Sequence, residues 1–245
     1  MVDKPGRRKK RAIPWAKIVA VALVVLVAGA VAWEVYWNYI YAAPPAYAEI
    51  RTSQGDIYIQ LFTNCAPKTV ANFENLSTTG FYDNLVFHRI VPGFVIQTGD
   101  PNTRGAVNST RPTWGQGGSP QTVPLEVSRC PTLTNAAGYV AMAREGNTTY
   151  GFDTGSSQFY IVLDNQTQPT LSQLDGYYTI FGKVISGMNV VCAIANKNVD
   201  PTYGSSVPSS SYLVSQPIYP QRAMMYNVTI IPASEAPAPV PIQQC

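Results

Sequence analysis

Between Phe87 and Asp100 the chain reads Phe-His-Arg-Ile-Val-Pro-Gly-Phe-Val-Ile-Gln-Thr-Gly-Asp, with one arginine and one glutamine among large apolar residues. On a strand that enters and leaves a Pro-Gly bend, this order can set Arg89, Phe94 and Gln97 on one concave surface. From spacing alone an ordinary barrel strand with a solvated arginine also accounts for the stretch, and spacing assigns it no function.

Other chemistries are excluded more directly. His88 is the only histidine, and none of the four cysteines (Cys65, Cys130, Cys192, Cys245) lies at C-x2-C spacing, so neither a multi-histidine metal centre nor a zinc ribbon can be built. No G-x-S-x-G elbow accompanies His88, whose simplest role is core packing. Gly115 to Gly118 lacks the Lys-Ser/Thr and following helix of a phosphate cradle. No cofactor is expected.

Alternation and turn residues indicate how such a surface is positioned. Tyr47 to Leu61 reads as a hairpin turning at Ser53-Gln54-Gly55-Asp56, because Ile57, Ile59 and Leu61 alternate after the turn. Leu85 to Ile90, Gly93 to Thr98, Gly138 to Ala143, Gln158 to Leu163, Thr179 to Val184 and Met224 to Ile231 read as further strands. Pro67 to Thr79 reads as a helix with proline in its first turn and Val70, Phe73 and Leu76 on one face; Met188 to Asn198 reads as a second. Many short strands with two helices predict a mainly β fold with a closed antiparallel sheet. Long Gly/Pro/Ser-rich loops, Asn102 to Ala137 and Pro201 to Gln221, interrupt it. The proline-rich tail, Pro232 to Cys245, is expected to be unstructured, with Cys245 unpaired or intermolecular. Four cysteines permit three complete pairings.

The 245 residues are 46% hydrophobic, 13% charged and 11% aromatic, which excludes a disordered chain and a coiled coil. The net charge of +3 hides an asymmetry: residues 1–17 hold seven basic residues against Asp3, while the remainder holds ten basic and thirteen acidic residues. A nucleic-acid partner is not expected, since the basic residues concentrate ahead of an apolar run. From Ile13 to Trp33 twenty-one residues are interrupted only by Lys17, a length of about 31 Å as a helix. Trp15 at one edge and Trp33, Tyr36, Trp37, Tyr39 and Tyr41 at the other resemble interfacial belts. This predicts a single-pass signal anchor over 18–41 after a basic cytoplasmic N-terminus (1–17); a cleaved signal peptide is the alternative. Either sends the remaining residues to the extracytoplasmic side. Five N-x-[ST] sequons, where composition gives about two by chance, fit that compartment. The layout is completed by a linker (42–46), a folded domain (47–231) and the tail (232–245).

The stretch FHRIVPGFVIQTGDP resembles the signature of the cyclophilin family of peptidyl-prolyl cis/trans isomerases. APKTVANF (66–73), GYVAMAR (138–144), SQFYI (157–161) and FGKV (181–184) with Gly187-Met188 occur in the family's order, and the AMAR form is similar to prokaryotic members. The resemblance implies a closed eight-stranded antiparallel β-barrel capped by two α-helices, with the active groove outside it. It implies Arg89 as the catalytic residue and Phe94, Val95, Gln97, Ala143, Gln158, Tyr160, Leu174 and Tyr178 as groove residues. Rotating an X-Pro bond breaks amide resonance against a barrier of about 18 to 20 kcal/mol and needs no covalent chemistry. As the bond twists, the prolyl nitrogen regains a lone pair, which a guanidinium favours over the planar state. Partners so implied are proline-containing peptides and unfolded exported proteins. A proline-peptide binding module or chaperone with little turnover is the alternative, and a structural envelope spacer a third. The chain departs from the common family pattern at Val95, Tyr160 and Tyr178, and at Arg144 and Glu145 beside the groove. Gln173 stands where an aromatic residue is usual, which predicts weak cyclosporin binding.

Overall fold

The computed structural model describes residues 15–35, 46–145, 151–164, 171–196 and 216–245. Tyr36, Trp37, Tyr39 and Tyr41 of the expected aromatic belt, the sequons at Asn147 and Asn165, and 201–215 of the second long loop lie outside the described residues. The chain forms two units, Met1–Pro44 and Pro45–Cys245.

The first unit contains helix α1, Trp15–Val35. Its side chains from 19 to 33 are exposed all round, and no polar face sets one side of the helix apart from another. Between Lys17 and Glu34 lie sixteen uncharged residues, about 24 Å of helix against a hydrocarbon core of about 30 Å. Among the described residues no helix is long and apolar enough to cross a membrane.

Among the described residues the second unit is a curled antiparallel sheet of nine strands with two α-helices. In chain order the strands are β1 (Ala46–Thr52), β2 (Gly55–Leu61), β3 (Leu85–Val86), β4 (Arg89–Val91), β5 (Val95–Thr98), β6 (Tyr139–Met142), β7 (Phe159–Val162), β8 (Ile180–Ser186) and β9 (Met224–Ile231). The spatial order is β3-β9-β1-β2-β8-β6-β7-β5-β4. Here the closed eight-stranded barrel expected from the family resemblance is corrected. The ladders form a half-barrel whose two edges, β3 and β4, are the halves of one stretch, 85–91, interrupted at Phe87-His88. One continuous strand was expected there. Its first half pairs with β9 and its second with β5, so the edges are joined by the chain rather than by a ladder.

Residue pattern explains the layers. In β1 and β2, Ala48, Ile50, Ile57, Ile59 and Leu61 are buried while Glu49, Arg51 and Asp56 face outward, the period-2 alternation of a half-buried sheet. Helix α2 (Pro67–Thr78) buries Val70, Phe73 and Leu76. Phe73 meets Phe159 edge-on at 5.6 Å and packs against Tyr82 and Phe181, each at 5.3 Å, centring the aromatic core. Helix α3 (Met188–Ala195) buries Met188, Val191 and Ile194.

Ala66 cannot cap α2 with its own side chain, and the carboxylate of Glu126 does so from across the fold. It accepts from the Lys68 and Thr69 backbone N–H groups at 3.1 and 2.8 Å and from the Thr69 hydroxyl at 2.8 Å. A negative group at these orphan donors also suits the helix dipole.

Disulfides Cys65–Cys130 and Cys192–Cys245 use all four cysteines. The tail is therefore not free, contrary to expectation. The Val240 N–H donates to the Ile185 carbonyl at 2.9 Å and the Cys245 N–H to the Leu163 carbonyl at 3.1 Å, while Ile242 and Cys245 pack on the core. Prolines bar the tail from regular structure of its own but leave Val240 and Cys245 able to dock. The loop Asn102 to Ala137 is likewise held, by short 3-10 turns and by the buried Trp114.

Candidate functional site

The bend Val91-Pro92-Gly93-Phe94 closes with the Phe94 N–H donating to the Val91 carbonyl at 3.0 Å. Gly93 at φ +71° supplies the conformation that a type II turn needs after proline. This turn sets the register Arg89↔Gln97 between β4 and β5; β5 then pairs Gln97 with Tyr160 of β7, and β7 pairs Tyr160 with Ala141 of β6. Directly opposed residues share a face, so Arg89, Gln97, Tyr160 and Ala141 form one row about 14 Å long on the outer side of the sheet. The residues between them in sequence, Ile90, Ile96, Ile161 and Val140, face the core.

Around this row an apolar cluster separate from the core gathers Val95, Ala141, Tyr160, Val162, Leu171 and Ile180, with Phe94, Ala143, Leu174 and Tyr178 half-buried against it. The Tyr160 and Tyr178 rings meet edge-on at 5.8 Å. The structure thus brings together six of the nine site residues read from the sequence: Phe94, Val95, Ala143, Tyr160, Leu174 and Tyr178. The other three adjoin them. Arg89 follows by register, and the Gln97 side chain donates to Gln158 Oε1 at 2.8 Å. Gln158 in turn donates to the Gly115 and Gly117 carbonyls at 3.0 and 2.6 Å, so both amides are held in one orientation. Beyond them opens a cleft of about 750 Å³ lined by Gln97, Gln158, Gly117, Ala143, Arg144 and Glu145.

Arg144 borders both spaces. Its guanidinium lies 4.8 Å from the Phe152 ring centre and 5.0 Å from that of Tyr178, and Nε donates to the Tyr177 carbonyl at 2.6 Å. Stacking and hydrogen bonding fix this side chain at the rim. Residues with no local signal in the sequence complete the surroundings: Asn135, whose Oδ1 accepts from the Tyr160 hydroxyl at 2.9 Å, and Asp175, which accepts from Asn135.

His88 is buried, and neither ring nitrogen has a partner in hydrogen-bonding geometry. Burial, aided by Arg89, pushes its imidazole down to about 4 from 6.5, against the pull of Asp100, the Val86 backbone and Gln158. Between these values the unfolded chain binds a proton that the folded one refuses. The neutral ring's contribution is complete above pH 6.5 and is lost as the pH falls toward 4, where it levels off. The difference is worth about 3 kcal/mol. Urea unfolding from pH 7 to 4 is expected to show that decline, and His88→Phe to flatten it; equal slopes in both proteins would remove His88 as the cause.

The curled sheet carries an external apolar pocket with the row crossing it, and comparison with known proteins gives its family. A family model described as "Cyclophilin type peptidyl-prolyl cis-trans isomerase/CLD" matches residues 47–215. The chain is 34% identical over 182 residues to a peptidyl-prolyl cis-trans isomerase of Acinetobacter baylyi, covering 74% of this chain and 84% of that protein. It is 41% identical over 143 residues to peptidyl-prolyl cis-trans isomerase B of Bacillus subtilis, covering 58% and 85%. Among solved structures, a Cryptosporidium parvum cyclophilin-type isomerase aligns with a TM-score of 0.60 at 28% identity, over 77% of this chain and 98% of that one. The same Cryptosporidium protein in the presence of the dipeptide Ala-Pro aligns at 0.59 and 28% identity, over 76% and 99%. The chain belongs to the cyclophilin-type peptidyl-prolyl cis-trans isomerases.

Proposed function

We propose that this isomerase turns X-Pro bonds in exported or cell-surface proteins by Arg89-assisted stabilisation of the twisted amide. The observation that carries the reading is the row Arg89-Gln97-Tyr160-Ala141 beside the pocket of Phe94, Val95, Leu174 and Tyr178. The pyrrolidine ring is buried among these apolar side chains, Gln97 holds the neighbouring peptide group, and the guanidinium faces the nitrogen as it becomes pyramidal. The related structure with Ala-Pro supports a prolyl ligand. The two disulfides fit an oxidising compartment.

In the same reading α1 is a signal anchor. Lys17 and Glu34 flank its sixteen uncharged residues, and the basic residues before it stay cytoplasmic. Protease added to intact cells is expected to remove the domain from residue 46 onward while the N-terminus stays protected; protection of the whole chain would sink the topology. Isomerisation of an Ala-Pro peptide by the full chain, compared with Arg89→Ala, tests the chemistry. Binding without turnover in the unmodified protein would instead favour a proline-peptide binding module.

Gln173 is exposed at the end of the 3-10 turn Leu171–Gln173, beside Leu174. An amide there offers little apolar area to a large cyclic peptide. A cyclosporin titration is expected to give an affinity far weaker than nanomolar, and nanomolar binding would refute the assignment.

A further inference from the structure

Tyr160 carries a hydroxyl into an otherwise apolar cluster and is 4% exposed. A phenol buried in such surroundings needs a partner. It finds Asn135, itself buried, whose Oδ1 lies 2.9 Å from the phenolic oxygen. Asn135 then donates twice to Asp175 Oδ1, from its side-chain Nδ2 at 2.8 Å and from its backbone N–H at 2.7 Å. An ionised carboxylate only accepts, so Nδ2 must face Asp175 and Oδ1 must face Tyr160, which makes the phenol the donor. The direction of every proton in this chain of bonds is set by one charged end.

The same three residues join segments that lie far apart in sequence. Asp175 follows Leu174 in a turn where the Leu174 N–H donates to the Leu171 carbonyl and the Tyr177 N–H to the Leu174 carbonyl, at 2.9 and 3.1 Å. Asn135 lies two residues after Leu133, which packs on the outer cluster and whose N–H reaches the carbonyl of the disulfide-bonded Cys130 at 3.0 Å. One amide therefore ties the central ring of the pocket to the turn carrying its Leu174 wall and to a covalently fastened segment. An edge-on ring held only by apolar contacts can tilt, whereas a ring fastened at its hydroxyl cannot do so without breaking the bond.

We propose that Asn135, oriented by Asp175, is a positioning residue of the proline pocket, holding the Tyr160 ring in place before substrate arrives. The inference rests on the reading of Phe94, Tyr160 and Leu174 as that pocket. A preformed pocket avoids ordering its walls on binding. Losing the tether therefore weakens binding of the planar and twisted forms alike, raising KM with little change in kcat.

The test is a double-mutant cycle in the full chain, with the folded state checked by urea unfolding. With Tyr160 present, Asn135→Leu is expected to raise KM for an Ala-Pro tetrapeptide about tenfold at nearly constant kcat. In a Tyr160→Phe background, which has no hydroxyl to hold, the same substitution is expected to add less than about twofold. Asp175→Ala is expected to give the same pattern, with Asp175→Asn restoring most of the loss because its Oδ1 can still accept; this arm serves if Asn135→Leu fails to fold. Equal losses in both backgrounds, no loss in either, or a loss confined to kcat would overturn the proposal. NMR separates its failure from failure of the pocket itself. If the peptide shifts the Phe94 and Leu174 resonances of the unmodified protein while the cycle shows no coupling, only the positioning role falls. If it shifts neither residue, the pocket assignment falls with it.

Discussion

Arg89→Ala is expected to lower kcat/KM for an Ala-Pro peptide by two to three orders of magnitude, the usual cost of deleting one preorganised donor aimed at charge that develops in a transition state. The planar substrate offers the guanidinium little, because its prolyl nitrogen lone pair is committed to the amide. The twisted form returns that pair, so the loss should fall on kcat, and the Kd of the peptide measured by NMR titration should change little. Arg89→Lys should recover only part of the rate, since a compact ammonium on a flexible stem does not reproduce a planar, rigid set of donors. The position is well placed for such a substitution. Arg89 lies in the edge-strand half of an interrupted stretch, and its neighbour Ile90 carries the core contact. Unchanged turnover would remove Arg89 from the chemistry, and a loss confined to Kd would make it a substrate clamp.

How far the site could be read from the residues depends on how far apart its parts lie. Arg89, Phe94 and Gln97 fall within nine residues around one Pro-Gly bend, so a single hairpin is enough to bring them near one another. The hairpin at 46–61, α2 and β9 were legible for the same reason, because local periodicity and turn residues decide them. Tyr160, Ala143 and Leu174 were reached only through the family resemblance, since nothing in their local pattern points toward Arg89. The polar supports gave no signal at all. Glu126 caps a helix 57 residues earlier, and Asn135 meets Asp175 across 40 residues; each alone looks like a loop residue. The interruption at Phe87-His88 was hidden because both halves of the stretch are apolar enough to continue as one strand. The docked tail was hidden too, because proline content reports on backbone conformation and is silent about a covalent bond.

That bond carries the second large effect. Cys192 lies in α3 and Cys245 in the docked tail, so their disulfide closes a loop of separation 53 that contains β9. β9 lies between β1 and β3 in the sheet, and pairing with β1 joins opposite ends of the domain's sequence. A cross-link that confines β9 in the unfolded chain removes part of the entropy this pairing must overcome. For a loop of this size the chain-entropy relation gives about 4 kcal/mol, a large share of the roughly 5 to 15 kcal/mol typical of a domain. Cys192→Ala/Cys245→Ala in the full chain is therefore expected to lower unfolding free energy by up to about 4 kcal/mol in urea titrations. Because the described tail after β9 adds no strand to the sheet, it can fray while the sheet stays folded. Amide exchange distinguishes the two modes: the Val240 and Cys245 N–H groups, bonded to Ile185 and Leu163, should lose protection well before those of β9. If protection at Val240 and Cys245 survives and stability moves by less than about 1 kcal/mol, apolar docking of Ile242 holds the tail unaided and the disulfide adds nothing to it.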